Sequence, residues 1–372
     1  MVAIPAPQPL LVQGLIAAGE FSSVFLCCKT SGTDLTAVKC FSRARISAEE
    51  RLGRKAQNEQ HILSLVSQLP HPFVVNFRFT LSDNDYLCLG MEHVGGCDMF
   101  TLLQNKGSLS RDITRIYAAE VGLALGHIHS FDIIFRDLKP ENVLIGLDGH
   151  TKLTDFGSAL KMSGRQGAEP PPAGIVSLGG TPEYMSPEML LGLPTCEVSD
   201  WWAFACLVCE MLTGSSPFVV ASQSINNSTI SQSIQGLMER IIHGPVDVPE
   251  HRNIGASELS LLEVLLVRDP RDRLGARPDG HSAVLAHEFF QGILADILLL
   301  KQYPAPWLPH LDGPISGLAG VPEAGEEALR SAEASTHAQG ALVDATDEAV
   351  EAQLAAQLAL APVLLWPHRR SG

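Results

Sequence analysis

Four polar residues in the segment 137–155 have side chains suited to chemistry on a phosphate group. They are Asp137, Lys139, Asn142 and Asp155. Carboxylate and amide oxygens are the hard ligands that Mg²⁺ prefers, and an ammonium group pairs with phosphate. A carboxylate held apart from the metal can orient or deprotonate an incoming hydroxyl. The four residue types therefore predict a site for a polyphosphate with Mg²⁺.

The residues between them predict how the four come together. Residues 143–154, VLIGLDGHTKLT, read as two short apolar strands around a Leu-Asp-Gly turn. A hairpin of this length reverses the direction of the chain. We therefore expect Asp155 to return close to Asp137 and Asn142.

The segment HSFDIIFRDLKPENVLI, followed by DFG, resembles the signature set of protein kinases. Phe135 stands where the AGC group, the relatives of the cyclic-AMP-dependent kinase and protein kinase B, usually has Tyr. The resemblance implies an α+β protein with the two-lobed kinase fold: a small five-stranded N-lobe and a mainly helical C-lobe. It implies ATP and Mg²⁺ as cofactors. It assigns catalysis to Asp137 and Lys139, and the metal to Asn142 and Asp155.

The first ninety residues carry the pattern of such an N-lobe. Residues 10–41 alternate apolar and polar as three antiparallel strands, residues 71–92 add two more, and a helical stretch lies between. The family's Gly-rich loop corresponds here to Ala17, Gly19, Ser22 and Val24, so only its middle glycine is kept. By resemblance, Lys39 contacts the α- and β-phosphates of ATP and pairs with Glu59.

The resemblance assigns further residues to the nucleotide. Met91 guards the back of the adenine pocket, Glu92 and Val94 belong to the hinge that binds adenine, and Asp98 lies near the ribose. Ala37 and Leu144 complete the expected nucleotide contacts. An alternative role for Asp98 is that of a helix N-cap before MFTLLQ, and both roles can hold together.

Regulation and substrate choice are also implied by the resemblance. Ser177, in SLGGTPEY, corresponds to a residue phosphorylated by an upstream activating kinase, and Arg136 and Lys55 are the expected contacts of that phosphate. The alternative is an ordinary loop serine. Asp98, Glu141 and Glu210 match positions that bind arginines of a protein substrate. The alternative for Glu210 is a helix residue paired within its own lobe.

The C-terminal half carries the family's scaffold. Glu188 is expected to pair with Arg273, and Asp200 to bond the backbone of the catalytic loop. Residues 197–218, EVSDWWAFACLVCEMLTGSSPF, match the family's long buried helix, in which Cys206 and Cys209 pack rather than bind metal. The polar stretch 222–235 predicts a surface loop.

The predicted domains are an N-lobe at 8–91, a hinge and C-lobe at 92–290, and an AGC-tail-like segment at 291–313. Residues 314–372 form a linker, with spacing suited to an amphipathic helix at 341–361. The family usually ends in a Phe-containing motif, but this chain has no Phe after Phe290. That motif is therefore absent from it.

Composition excludes several classes of partner. The chain has 26 basic and 41 acidic residues, a net charge of −15. This balance argues against nucleic acid or an anionic membrane and suits a basic protein substrate. Eight scattered cysteines fit a reducing compartment, the cytoplasm or nucleus. The N-terminus lacks the basic start of a signal peptide, and the apolar stretch 352–366 is too short to span a bilayer, so no transmembrane segment is expected.

Three functions compete. The first is an ATP-dependent serine/threonine protein kinase of AGC type that prefers arginine upstream of its target residue. The second is a kinase-shaped scaffold without turnover, suggested by Ala17 and Ser22 in the Gly-rich loop. Against the scaffold, five residues of the chemistry are all present: Lys39, Glu59, Asp137, Asn142 and Asp155. A small-molecule kinase is disfavoured by the segment TPEYMSPE, which shapes a peptide site.

Overall fold

The chain divides into two compact units. The computed structural model describes residues 10–19, 22–29, 34–82, 85–162, 182–218, 230–246, 248, 251–276 and 280–309. Among these, the first unit holds the residues up to Gln60 together with Asn76–Gly96, and the second holds His61–Val75 and Cys97–Pro309. The predicted Ser177, the loop 163–176 and the helix at 341–361 lie outside the described residues. The domain boundaries drawn from the sequence stay predictions.

The first unit is built on a five-stranded antiparallel sheet, as predicted. Its strands follow the order β1-β2-β3-β5-β4. They are β1 (Leu10–Ala18), β2 (Ser23–Lys29), β3 (Leu35–Ser42), β4 (Phe77–Ser82) and β5 (Tyr86–Glu92). Successive side chains of a strand point to opposite faces, so the apolar alternation of these segments builds a core on one face. That core cluster consists of Leu10, Phe25, Cys27, Val38, Cys40, Leu81 and Cys88.

Two helices follow β3: α1 (Arg43–Ala48) and α2 (Glu50–Val66). The sequence predicts the second of them, and the structure confirms it. Ile62, Leu63 and Val66 of α2 are buried, at the spacing of one helical face.

The second unit is mainly helical. Its helices are α3 (Met99–Lys106), α4 (Arg111–His129), α5 (Pro187–Leu190), α6 (Glu197–Thr213), α7 (Ile230–His243), α8 (Ala256–Leu265), α9 (Gly280–Leu285) and α10 (Ala295–Leu299). Short strands accompany them: β6 (Cys97–Asp98), β7 (Ile133–Ile134), β8 (Val143–Ile145), β9 (Thr151–Leu153) and β10 (Leu160–Lys161). The pair β8–β9 is antiparallel, which confirms the predicted hairpin. No helix in the described part of the chain has the length and apolarity to cross a bilayer.

Helix α6 forms the centre of the second unit. Trp201 and Trp202 are fully buried, and Cys206 and Cys209 are buried beside them. Burial raises the pKa of the Cys209 thiol to about 12. Both cysteines therefore pack as small apolar groups, as the apolar sequence of the helix predicts.

A buried ion pair joins α5 to the segment after α8. Arg273 donates to Glu188 through Nη1 (2.7 Å) and Nη2 (3.0 Å), and both side chains are almost fully buried. Burial opposes the charge on Glu188, but the bonds and charge of Arg273 outweigh it and hold the pKa of the carboxyl below its ordinary value. The predicted Glu188–Arg273 pair is confirmed.

The prediction of a surface loop at 222–235 is wrong for its last six residues. Residues 230–235 belong to α7. The physical reason is an apolar spacing that the polar composition conceals. Leu237 and Ile241 are buried one turn apart, and Ile234 continues the same series towards the N-terminus.

Candidate active site

Strand register places five predicted nucleotide contacts on one face of the sheet. Ala17 lies opposite Val24, Val24 opposite Lys39, and Ala37 opposite Met91. Residues directly opposite in an antiparallel pair share a face, and so do residues two apart in one strand. This face is the reverse of the one that carries the core cluster, and Val24 and Ala37 on it are only partly buried.

Lys39 and Glu59 form a close ion pair within the first unit. The Nζ of Lys39 lies 2.7 Å from Oε1 of Glu59, and both side chains are nearly buried. Helix α2 supplies the carboxylate and β3 the ammonium. The pairing expected from the order and spacing of the two residues is present, and it fixes where the Lys39 charge lies on the sheet.

The turn between β1 and β2 shows why its middle glycine is kept. The N–H of Gly19 donates to the carbonyl of Ser22 (2.8 Å), and a Cβ on Gly19 would lie 3.3 Å from that same oxygen. Ala17 lies before this turn and pairs with Val24 across the β1–β2 strands. The structure therefore accommodates a side chain at position 17.

In the second unit, three of the predicted residues converge on Asp137. The Nζ of Lys139 lies 3.1 Å from each carboxylate oxygen of Asp137. The amide nitrogen of Asn142 donates to the carbonyl of Asp137 (2.7 Å) and to its Oδ2 (3.1 Å). Burial raises the pKa of Asp137, the charge and bond of Lys139 oppose that rise, and the charge of Asp155 adds to it. The hairpin thus brings Asp155 back to Asp137 as predicted.

The donor set fits a magnesium ion in part. The amide nitrogen of Asn142 is engaged by Asp137, which leaves the amide oxygen as the atom that can ligate a cation. Asp155 adds a carboxylate whose repulsion with Asp137 a cation would relieve. Among the described residues, no three His, Cys, Asp or Glu side chains form a metal-binding group. A magnesium ion here would therefore rely on phosphate oxygens and water for its remaining ligands.

Asp200 fixes the backbone of the catalytic segment. Its carboxylate accepts the N–H groups of Phe135 (2.8 Å) and Arg136 (2.7 Å), and it lies 2.7 Å from Nε2 of His129. Arg136 has a φ of 67°, a region that non-glycine residues adopt only when their surroundings impose it. These bonds hold Asp137 in place, as expected for Asp200. His129, the last residue of α4, was not predicted from the sequence.

A carboxylate that was not predicted from the sequence anchors the β8–β9 hairpin. Glu120 of α4 is fully buried, lies 2.5 Å from Nδ1 of His150 and accepts two bonds of 2.8 Å from the N–H and hydroxyl of Thr151. The hairpin is thereby tied to α4 through the start of β9. A signal was present: a lone Glu in the apolar helical run AAEVGLAL needs a partner.

Asp98 acts as a helix N-cap. Its Oδ1 accepts the N–H of Thr101 at 2.6 Å, and its backbone pairs with Leu144 of β8. The alternative role that the sequence left open for Asp98 is thus confirmed. A contact of Asp98 with a ribose stays a prediction.

A cavity of about 450 Å³ opens beside Asp137, and acidic residues line one part of it: Glu141, Glu183 and Glu210. The hydroxyl of Tyr184 donates to Oε2 of Glu210. Burial raises the pKa of Glu210 to about 7 against the hydrogen bond from Tyr184, and the charges of Glu183 and Glu141 add to the rise. The pairing of Glu210 within its own unit is confirmed. A cationic side chain that enters this cavity would offset the repulsion between three neighbouring carboxylates.

Arg136 lines the same cavity. Its Nε is buried and has no hydrogen-bond partner among the described residues. Burial lowers the pKa of Arg136 although the charge of Asp200 opposes this. A partly buried guanidinium with an unpaired donor is suited to an anionic oxygen. Lys55, the other predicted phosphate contact, is exposed on α2.

Comparison with known proteins agrees with these motifs. The family model for the protein kinase domain matches residues 11–290. Serine/threonine-protein kinase Sgk2 of Homo sapiens is 33% identical over 319 residues, which are 85% of this chain and 80% of that protein. The cAMP-dependent protein kinase catalytic subunit PRKX of Mus musculus is 33% identical over 313 residues, with 83% and 80% covered. Ribosomal protein S6 kinase alpha-3 of Homo sapiens is 32% identical over 311 residues, and the chain spans 39% of its length.

Proposed function

The chain belongs to the protein kinase domain family, and we propose that it transfers the γ-phosphate of ATP to serine or threonine of basic protein substrates. The observation that carries this proposal is the arrangement of Lys139 and Asn142 around Asp137, with bonds of 2.7 to 3.1 Å. A scaffold that only binds partners has no physical need for this arrangement.

Phosphoryl transfer depends on positioning and on neutralising charge rather than on covalent work by the protein. Asp137 would accept a hydrogen bond from the substrate hydroxyl and aim its oxygen at phosphorus. Lys139 would stabilise the charge that develops on the transferred group. Lys39, held by Glu59, would bind the α- and β-phosphates, while Gly19 and the neighbouring sheet face would bind the nucleotide. ATP supplies the phosphoryl group and Mg²⁺ would be held by Asn142 and Asp155.

The choice of acceptor tests this proposal. Purified full chain is given MgATP and three peptides that differ only in a serine, threonine or tyrosine at the target position. We expect phosphorylation of serine and threonine and little or none of tyrosine. Equal rates on tyrosine would contradict the proposed specificity.

We further propose that the acidic cavity selects arginines two and three positions before the target residue. Glu210 and Glu141 line that cavity, and Asp98 is the third residue proposed to contact the substrate. Guanidinium groups bind carboxylates through two parallel bonds, which are stronger than neutral hydrogen bonds. Each such pair contributes about 1.5–3 kcal/mol, or roughly ten- to a hundredfold in rate or affinity.

Glu210→Gln is expected to lower the preference for Arg-containing over Arg-free peptides by roughly tenfold or more. Because the pKa of Glu210 is raised to about 7, the carboxyl is ionised above that pH and neutral below it. The preference should therefore be larger at pH 8 than at pH 6 in the wild type. It should be independent of pH over that range in the variant.

The exposed Glu288 provides the matched control, since Glu288→Gln removes the same charge at a residue that does not line the cavity. This variant should keep the wild-type preference. The proposal would be refuted if Glu210→Gln kept the wild-type ratio of rates on Arg-containing and Arg-free peptides. A peptide screen that showed an acidic or proline-directed preference would also refute it.

Phosphorylation of Ser177 is proposed to raise activity. A phosphate adds almost two negative charges and can order a loop by pairing with basic groups. Arg136, with its unpaired Nε, and Lys55 are the proposed contacts. After treatment with an activating kinase, Ser177→Ala should stay at its basal rate while the wild type rises. If the activity of Ser177→Ala rose as much as that of the wild type, Ser177 would not be the activating site.

A reducing compartment such as the cytoplasm is the proposed location. It is supported by eight cysteines that are all thiols. The proposed partners are protein substrates and an upstream kinase.

A further inference from the structure

Two buried thiols face each other across the middle of the sheet in the first unit. Cys40 of β3 lies directly opposite Cys88 of β5. Their Sγ atoms are 2.8 Å apart, and each residue is 2% exposed. Both belong to the core cluster, on the face opposite Lys39.

The positions of the two residues match the geometry of a disulfide. Directly opposed residues of an antiparallel pair have Cα atoms about 4.5–5.5 Å apart, inside the range of about 4.4–6.8 Å that disulfides span. The Sγ of Cys88 donates to the Sγ of Cys40, and the two sulfurs would have to close to an S–S length of about 2.05 Å. A bond between them therefore requires no slip of register.

We propose that Cys40 and Cys88 form a reversible cross-strand disulfide when the folded protein meets hydrogen peroxide. The thiolate of one cysteine attacks a peroxide oxygen and breaks the O–O bond, which gives a sulfenic acid and hydroxide. The sulfur of the second cysteine then attacks the sulfenic sulfur and expels its oxygen as a second hydroxide. The two thiol protons convert both hydroxides into water, so two electrons pass from sulfur to oxygen.

Geometry separates this pair from the other cysteines. Cys206 and Cys209 are equally buried, but they are three positions apart on one helix, where Cβ atoms lie about 5–6 Å from each other. Cys27 belongs to the same core cluster, but its ladder partners are Val12 and Thr36, and neither is a cysteine. Disulfides in reducing compartments are usually transient and redox-sensing, which fits a buried pair in a protein whose cysteines are all thiols.

The disulfide would join the strand that carries Lys39 to the strand that ends at Glu92. Lys39 is the neighbour of Cys40 and faces the opposite side of the sheet. Its partner across the ladder, Leu89, is the neighbour of Cys88. The proposed modification site therefore lies at the centre of the nucleotide-binding sheet without removing any group proposed to bind the nucleotide.

Mass spectrometry of the folded full chain tests the proposal. The protein is treated with hydrogen peroxide, unfolded in denaturant with an alkylating agent that blocks the free thiols, and digested with trypsin. We expect the fragment 40–43 to be linked to the fragment 79–106, with a mass two hydrogens below their sum, and the link to disappear with dithiothreitol. The second fragment also contains Cys97, so Cys97→Ser should keep the link.

Matched variants and an unfolded control sharpen the result. Cys88→Ala should abolish the link, while Cys209→Ala, which removes an equally buried thiol, should leave it unchanged. Protein oxidised in concentrated urea should show a mixture of pairings rather than this one. Two results would overturn the proposal. In one, both thiols of the folded wild type are still alkylated after peroxide treatment. In the other, the Cys40–Cys88 link forms only in urea.

Discussion

Asp137→Asn is expected to lower the rate of γ-phosphate transfer by roughly 10²–10⁴-fold. Asparagine keeps the size of Asp137 and can still accept the bond from Asn142, but it has no charge to draw the substrate hydroxyl or hold Lys139. Because Asp137 is assigned to the hydroxyl rather than to the metal, the affinity for MgATP should stay near that of the wild type. Isothermal titration with MgATP and a peptide phosphorylation assay measure the two quantities.

Two comparisons make this result specific. Asp112→Asn removes an exposed carboxylate from α4 and should leave transfer unchanged. Asp155→Ala should instead weaken MgATP binding itself, because Asp155 is assigned to the metal. Transfer near the wild-type rate in Asp137→Asn would show that Asp137 does not have the assigned role.

Arg273→Met is expected to destabilise the second unit by about 3–5 kcal/mol, because it leaves the buried Glu188 carboxylate without its counterion. The Arg273 guanidinium also lies 5.1 Å from the centroid of the Trp202 ring. Methionine keeps an unbranched apolar stem but removes this cation–π contact together with the ion pair, so the loss should come mainly from charge. The midpoint of urea unfolding, followed by tryptophan fluorescence, measures it. Glu188→Leu combined with Arg273→Met should recover part of the stability, since no buried charge then remains.

The neighbouring Arg271 is the matched control. It forms an ion pair with Asp269 at the surface, where Arg271 is 86% exposed. Exposed pairs contribute little, so Arg271→Met should leave the unfolding midpoint nearly unchanged. If Arg271→Met and Arg273→Met lowered the unfolding midpoint equally, the buried pair would contribute no more to stability than the exposed one.

The sequence predicts the elements of the fold well, because strand alternation and helical spacing are local signals. The five strands, the hairpin at 143–153 and the buried helix α6 could all be read from it. The start of α7 could not, because serine and glutamine obscured a helical apolar spacing. At such positions the apolar spacing is a better guide to a helix than the polar composition.

The candidate site was predictable where motif spacing fixes it and unpredictable where packing does. Asp137, Asn142 and Asp155 meet because a short hairpin connects them. The bond of Asp200 with His129 joins residues 71 positions apart, and the donor to Glu210 is Tyr184, on another segment. The contact of Cys40 with Cys88 depends on the register of strands distant in sequence. Sequence spacing carries no information about such contacts until the fold is known.

The most direct test of the proposed activity measures MgATP binding and γ-phosphate transfer on one preparation of the wild-type chain. The peptide carries serine with arginines two and three positions before it, and the chain is first treated with an activating kinase that is then removed. We expect saturable MgATP binding and transfer of the labelled γ-phosphate to the serine, with multiple turnovers per molecule. The contradicting result is MgATP binding without transfer, in which the wild type gives no more labelled peptide than an Asp137→Asn sample. That result would favour a scaffold that binds nucleotide without turnover.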